Sequence, residues 1–216
     1  MRIARILLGL TLALIMSPTM VGTAQAADEY VLNKHYVLVE PPVKTADPSK
    51  IEVAEIFAYS CPHCFHFEPL LQSWEKRQGK DVYLVQTHAL WNPNMESLIR
   101  GYYTSVVLKV KDKTHMAVFN ALHQEHKNFT SAEQWADFFA NYGVDKAKAI
   151  STYNSFGVTS QIKQAEARVR GYKVTGTPEL VVNGKYRVSS RLTGGHEEML
   201  KVADFLVAKE RAAVKR

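Results

Sequence analysis

Cys61 and Cys64 are the only two cysteines of the 216-residue chain, and two residues separate them. A pair at this spacing can close a small disulfide ring and open it again. If Cys61 lies at the N-terminus of a helix, the helix dipole and the free backbone N–H groups stabilise its thiolate. Pro62 suits the first helical position, and His63 places an imidazole beside the same sulfur. The pattern predicts thiol–disulfide exchange with Cys61 as the nucleophile and Cys64 as the resolving thiol.

The stabilised thiolate also predicts the direction of exchange. A fall in the pKa of Cys61 from ~8.5 to ~4 would favour the reduced form by ~4 kcal/mol at pH 7. In redox terms, this would raise the reduction potential by roughly 90 mV. We therefore expect an oxidant, which passes its disulfide to other molecules.

Two other uses of the cysteine pair are alternatives, and a third is excluded. Zinc needs four ligands, so residues such as His66 or His88 would have to complete a set. A purely structural disulfide that closes four residues would contribute only ~2 kcal/mol. Covalent haem attachment needs a histidine directly after the second cysteine, where Phe65 stands. We expect no metal site and no cofactor.

The predicted elements around the pair alternate between strands and helices. A strand over residues 51–59 leads into the motif, and a helix over residues 62–77 follows it. Further strands are predicted at 31–39, 82–90, 179–182 and 186–189, with a hairpin turn at Asn183-Gly184. Helical spacing covers 96–110, 113–126, 131–142, 145–153, 159–172 and 195–213. This order predicts an α/β protein with an all-helical insertion of roughly 80 residues.

Residues 1–26 are typical of an export signal that is cleaved after Ala26. Arg2 and Arg5 precede an apolar run over residues 6–16, which is shorter than the ~20 residues of a membrane span. An uncleaved anchor is the alternative. Without the two arginines, the formal net charge of +6 falls to +4. The remaining basic residues are scattered along the chain without a nucleic-acid motif, so we expect no nucleic-acid partner.

The motif and its surroundings resemble the DsbA family of bacterial periplasmic oxidases. Cys-Pro-His-Cys follows Glu-Ile-Phe-Ala-Tyr-Ser at residues 55–60 and is followed by Phe67-Glu68. Gly-Thr-Pro at residues 176–178 and the stretch 181–186 resemble the later active-site loop and hairpin of that family. A helical insertion between the two halves of a thioredoxin fold is also the family pattern. The resemblance extends over nearly all of the chain after the signal.

The resemblance implies the domain organisation, the activity and the partners. The thioredoxin fold would comprise residues 27–91 and 174–216, with the all-helical insertion at 92–173. The protein would be a monomer in the periplasm that donates its Cys61–Cys64 disulfide to unfolded exported proteins with free cysteines. A membrane protein of the DsbB type would then reoxidise it.

Two acidic residues near the pair have roles implied by the same resemblance, Glu55 as a buried acid beneath the site and Glu68 as a second acid nearby. Glu55 also lies in an apolar strand, where burial would raise its pKa and let it relay the Cys64 proton. The alternative for Glu55 is the solvent side of the strand. For Glu68, four residues after Cys64, the alternative is a plain surface position.

The loop at Thr177-Pro178 resembles the family site and departs from it at one residue. The resemblance implies that Pro178 is a cis proline that faces the cysteines. Many family oxidases carry valine before this proline, whereas threonine occurs in disulfide isomerases of the wider group. A disulfide isomerase and a dedicated thiol reductase are therefore alternatives, as is a chaperone-like binding module with incidental thiols.

An apolar surface beside Cys61 is expected to bind substrate. The predicted contacts are Tyr59, the Leu90-Trp91 corner and the loop 188–195 with Leu192. Backbone groups near Pro178 would pair with an extended substrate chain. The other histidines, among them His66, His88, His115, His123 and His126, are expected at surface or packing positions.

Overall fold

A five-stranded sheet lies at the centre of the computed structural model, which describes residues 29–214. Its strands follow the spatial order β1-β5-β4-β2-β3. They are β1 Val37–Leu38, β2 Ile51–Phe57, β3 Val82–His88, β4 Glu179–Val182 and β5 Tyr186–Ser189. Strand β2 runs parallel to β3 and antiparallel to β4. All of its residues are buried, as expected for a strand with both faces covered.

Helices cover both faces of the sheet and form the block between β3 and β4. They are α1 Pro62–Glu75, α2 Glu96–Val107, α3 Lys111–His123, α4 Ala132–Ala140, α5 Lys146–Tyr153, α6 Phe156–Gly171, α7 Ser190–Thr193 and α8 His196–Val214, with a 3-10 turn at Pro93–Met95. Five of these helices, α2 to α6, follow β3 and precede β4. The α/β order predicted from sequence is therefore present, and the division at residues 92–173 remains a proposal. Within residues 29–214, no helix has the length and apolarity to cross a membrane.

Alternation along β2 decides which core each side chain joins. Val53 packs with α1 and α8 in one cluster, and Phe57 joins the core of the helical block. Ala54 and Ile56 point to the opposite face, where they pack with residues of α6. Glu55 lies between Val53 and Phe57 on the first face, so its carboxyl group is placed between two apolar cores.

Two predicted elements have different bounds in the structure. The strand predicted at 31–39 is reduced to β1, because the chain before it turns through Asn33, whose φ is 64°, and His35 N–H donates to the Val31 carbonyl. The predicted loop at 188–195 contains the end of β5 and helix α7, which ends at Gly194 in a left-handed conformation. The other elements match the predicted ones within a few residues at each end.

Gly101→Ala should destabilise the helical block, because a Cβ there would lie 2.2 Å from buried Trp135. We expect a loss of about 1–3 kcal/mol in the free energy of unfolding, measured by denaturant titration of the reduced protein. Gly157→Ala is the matched control, since its Cβ would meet only Ser155 Oγ at 3.6 Å. That change should be neutral or stabilising by up to about 1 kcal/mol. Equal midpoints for the two variants would contradict this packing.

Candidate active site

Cys61 caps the N-terminus of α1, the position that its sequence context predicts. Its backbone is extended, with φ −91° and ψ 113°, and Pro62 occupies the first helical turn. The Cys61 sulfur accepts a hydrogen bond from the Cys64 backbone N–H at 3.4 Å. Both cysteines are free thiols in this structure. Helix α1 therefore directs backbone donors at one sulfur of the pair.

The two thiols differ strongly in acidity. The Cys64 side chain, the Thr177 side chain and the N–H groups of Cys64 and His63 together lower the pKa of Cys61 to about 5, against the opposing effect of burial. Cys64 is fully buried, and this burial, with the Cys61 sulfur and the Glu55 charge, raises its pKa above that of an ordinary thiol. At neutral pH the reduced pair thus holds a thiolate on Cys61 and a thiol on Cys64.

The loop at Thr177-Pro178 lies against Cys61. Its peptide bond is cis, and the Thr177 carbonyl accepts a hydrogen bond from the neutral Cys61 thiol at 3.3 Å. A carbonyl cannot donate to a thiolate, so that contact belongs to the protonated form only. Glu179 secures the loop from the other side, where its Oε1 accepts from the Thr175 N–H at 3.3 Å and hydroxyl at 3.0 Å.

Glu55 is buried beneath the pair with one hydrogen-bond partner. Its Oε2 accepts from Gln86 Nε2 at 2.9 Å, and its Oε1 has no partner among the described residues. Gln86 stands directly opposite Glu55 in the parallel register of β2 and β3. Burial, followed by the nearby Glu68 charge, raises the pKa of Glu55 well above its usual range. A carboxyl group in this state can hold a proton near neutral pH.

Glu68 is buried too, which settles the open choice between a surface acid and a second acid near the site. Only 2% of it is exposed, and its Oε2 lies 3.3 Å from His115 Nε2. Burial acts to raise the pKa of Glu68, but the His115 hydrogen bond and charge, with the Gln72 amide, outweigh it and leave the pKa lowered. The two acids therefore favour opposite protonation states.

Tyr59, predicted to contact substrate, is buried with 1% exposed, so that prediction is wrong. Its hydroxyl lies 2.9 Å from His115 Nδ1, and its N–H donates to His88 Nε2 at 3.0 Å. His88 Nδ1 in turn donates to the Ala89 carbonyl at 2.7 Å. Burial lowers the pKa of His88 to about 3, which keeps the ring neutral. Tyr59 thus anchors the strand end that leads into the cysteine motif.

The other predicted substrate contacts are accessible. Trp91 is 45% exposed, whereas Leu90 and Leu192 are half-buried. Leu90 packs on the core of the helical block, as do Cys61 and Phe65. Leu90 and Cys61 thus share one apolar cluster, and Trp91 next to Leu90 adds exposed apolar surface.

His63 is exposed and faces a histidine that the sequence did not reveal. Its ring centroid lies 6.2 Å from that of His196, the first residue of α8. Burial and the His63 charge lower the pKa of His196, while Cys61 acts in the opposite direction. Among residues 29–214, no group of three or more histidine, cysteine or acidic side chains is arranged to hold a metal ion.

Three residues of the buried network were missed by sequence reasoning: Gln86, Lys111 and His115. Lys111 Nζ donates to Gln86 Oε1 at 3.1 Å, and Gln86 Nε2 lies within hydrogen-bond distance of both acids. The only sequence signal for His115 is a histidine on the apolar face of a helix, which is usually a packing residue. Strand pairing and helix docking bring these side chains together.

The same fold occurs in solved and curated proteins. A family model described as the DSBA-like thioredoxin domain matches residues 52–206. The thiol:disulfide interchange protein DsbA of Pseudomonas aeruginosa is 43% identical over 204 residues, which cover 94% of this chain and 97% of that protein. A crystal structure of Pseudomonas aeruginosa DsbA superposes with a TM-score of 0.83 at 45% identity, over 88% of this chain and 99% of that one. The oxidoreductase DsbA from Xylella fastidiosa gives 0.80 at 35% identity, over 85% and 98%. The predicted thioredoxin fold with a helical insertion is confirmed.

Thr177→Val should raise the pKa of Cys61, because the Thr177 side chain is one of the groups that lower it. Alkylation of the reduced protein, followed from pH 3 to pH 8, should slow by about threefold at pH 5 and stay unchanged at pH 8. Thr177→Ser keeps the hydroxyl and should retain the parent profile. Valine and serine variants with the same profile would show that the hydroxyl has no influence on the thiolate.

Proposed function

The chain belongs to the DsbA-like thioredoxin family, and we propose that it acts as an oxidase that donates its Cys61–Cys64 disulfide to exported proteins. It is a thiol:disulfide oxidoreductase. The direction of transfer rests on one observation, the lowered pKa of Cys61. A thiolate that is stable at neutral pH favours the reduced protein, and therefore favours loss of the disulfide to a substrate.

The size of this preference follows from the acidity of Cys61. A pKa of about 5 favours the reduced form at pH 7 by at most about 2.7 kcal/mol. Because the sulfur is only half-buried, solvent screening makes the true figure smaller. The corresponding rise in reduction potential is below roughly 60 mV, less than the sequence alone predicts. The sign of the effect remains that of an oxidant.

The exposure of the Cys61 sulfur and the acidity of Cys61 as a leaving group together define the exchange steps. A substrate thiolate attacks the accessible Cys61 sulfur, the bond to Cys64 breaks, and Cys64 leaves with the electron pair and takes up a proton. A second substrate thiolate then attacks the substrate sulfur of the mixed disulfide. Cys61 leaves as a thiolate, and the substrate gains a disulfide. The low pKa of Cys61 accelerates this last step.

Glu55 is suited to the proton transfer at Cys64. The Glu55 carboxyl group is buried on the side of the sheet that α1 covers, and its charge acts on the Cys64 thiol. One of its oxygens has no hydrogen bond within the described residues. Protonated Glu55 would supply the proton as Cys64 leaves. In the reverse reaction, the ionised form would accept it.

Unfolded exported proteins with free cysteines fit the surface around Cys61. Trp91, Leu90 and Leu192 provide apolar contacts, and the backbone at Thr177-Pro178 can pair with an extended chain. Action in the periplasm, cleavage after Ala26 and reoxidation by a membrane partner of the DsbB type complete this proposal. The export signal lies outside the described residues. The protein would work as a monomer. It would need no cofactor, because the two sulfurs carry the electrons.

Cys64→Ser should trap a substrate on Cys61. When Cys61 of this variant carries a mixed disulfide with a small thiol, the thiolate of a single-cysteine peptide attacks the Cys61 sulfur and the small thiol leaves. The peptide should then stay attached to Cys61, because no resolving thiol remains. The parent should release it, and Cys61→Ser should form no such complex, as seen by mass spectrometry. A peptide attached to Cys64 in the Cys61→Ser protein would reverse the assignment of nucleophile. Insulin reduction beside a redox titration against glutathione would separate the oxidase from a dedicated reductase.

The reduced protein should be more stable than the oxidised one at pH 8, and this gap should shrink as the pH falls towards 5. Folding lowers the pKa of Cys61 from 9.0 to about 5. The Cys61 thiolate therefore stabilises the reduced protein fully above pH 9, and this stabilisation is lost as the pH falls through about 5. Denaturant titrations of both redox forms at the two pH values measure the gap. Reduced Cys61→Ser is the control and should lack this pH dependence. A more stable oxidised form at pH 8 would contradict the oxidase.

A further inference from the structure

The geometry points to His115 as a positioning residue for proton transfer from Cys64. Its imidazole donates a hydrogen bond to Glu68, which weakens the effect of the Glu68 charge on Glu55. Glu55 can then accept the Cys64 proton. The inference rests on the exchange chemistry proposed above, but it concerns side chains that neither cysteine contacts directly. It assigns a task in the redox site to helix α3 of the helical block.

The Gln86 amide joins the two acids and can adopt only one orientation. Its Nε2 donates to Glu55 Oε2 at 2.9 Å and to Glu68 Oε2 at 3.0 Å, and its Oε1 accepts from Lys111 Nζ at 3.1 Å. In the flipped orientation, the amide oxygen would face two carboxyl groups, and the amide hydrogens would face an ammonium group. Both amide hydrogens are therefore used by the acids.

His115 must then carry a hydrogen on Nε2. This nitrogen lies 3.3 Å from Glu68 Oε2 and 3.1 Å from Gln86 Nε2, whose two hydrogens are already donated. A lone pair on His115 Nε2 would face the carboxylate, which is unfavourable. With the hydrogen in place, Nε2 donates to Glu68, and Nδ1 faces the Tyr59 hydroxyl at 2.9 Å. The ring is 3% exposed, so solvent cannot substitute for these contacts.

Two protonation states of His115 suit this position. The neutral ring accepts the Tyr59 hydroxyl hydrogen on Nδ1, and the charged ring donates to the Tyr59 oxygen. The other titratable groups that face the ring come from five elements: Glu55 from β2, Glu68 from α1, Lys111 from α3, His88 from β3 and Tyr102 from α2. Lys111 is half-buried, contacts Asp112 at 3.4 Å and acts through its charge on both acids, whereas His115 reaches Glu68 directly.

Proton transfer from Cys64 follows from this arrangement. The Cys64 S–H proton passes to the Glu55 carboxylate, and the Cys64 thiolate attacks the Cys61 sulfur of a mixed disulfide. The Cys61–Cys64 bond forms and the other thiolate leaves. The hydrogen on His115 Nε2 points at the Glu68 carboxylate and weakens the effect of the Glu68 charge on Glu55, which favours the ionised state of Glu55 before the transfer.

His115→Gln removes the imidazole ring and keeps a polar side chain. The reduced protein is mixed with 5,5′-dithiobis(2-nitrobenzoate), which gives two phases of thionitrobenzoate release. The first phase is attack by Cys61, and the second is attack by Cys64 on the mixed disulfide. We expect the pH profile of the second phase to move to higher pH, with a rate about five- to tenfold lower at pH 6 and within twofold at pH 8.5. The first phase should not change.

Glu68→Gln tests the sign of the effect. Loss of the neighbouring negative charge should favour ionised Glu55 and move the second-phase profile to lower pH, opposite to the shift in His115→Gln. A purely structural disturbance would slow both variants at every pH. His126→Asn, beyond the end of α3 and exposed, is the matched control and should leave both phases as in the parent.

Three outcomes would overturn the inference: shifts of the same sign in the two variants, an unchanged second phase in His115→Gln, or an equal shift in His126→Asn. If His115→Gln fails to fold, the Glu68→Gln profile alone still decides, since a shift to higher pH or no shift contradicts it. Absence of a fast first phase in the parent would instead contradict the proposed function, because that phase depends on Cys61 alone.

Discussion

Two sulfurs three residues apart must be kept in opposite protonation states, and much of the structure serves this difference. The N-terminus of α1 supplies donors to Cys61 but turns Cys64 inward, where no water reaches it. A buried thiol gives up its proton only to a nearby base, so the fold must place an acid beneath the helix. Strand β2 does so with Glu55, between an apolar core on each side.

Buried acids elsewhere in the chain show what is unusual about Glu55. Glu52, three residues earlier and on the opposite face of β2, contacts Arg168 and the hydroxyls of Tyr172 and Tyr83. Glu210 receives Lys185 at 2.7 Å, together with an asparagine amide. These acids are paired with cations and stabilise the packing of elements. Glu55 is given one neutral amide among the described residues, which leaves its charge poorly compensated and its proton available.

The helical block contributes to the chemistry as well as to the surface. Helix α3 lies against α1 and brings Lys111 and His115 to the underside of the cysteine motif. The same helix covers Tyr59, which in turn holds the end of β2 through His88. The helical block thereby adjusts the charge beneath the site. The two sulfurs and the proline loop themselves belong to the surrounding sheet and helices.

Local sequence patterns were enough to predict the redox pair Cys61 and Cys64, the helix start at Pro62, strands β4 and β5 with their turn, and the family with its thioredoxin fold. These features depend on neighbours in the chain, so spacing and residue type report them directly. Three other features became visible only in the folded chain: Tyr59 is buried, Glu68 is an internal acid, and a network beneath Cys64 brings together Gln86, Lys111 and His115. Tyr59 and His115 are 56 positions apart and Gln86 and Glu55 are 31 apart. Strand register and helix docking create these contacts, and burial then changes the acidity of groups that local patterns cannot distinguish from surface residues.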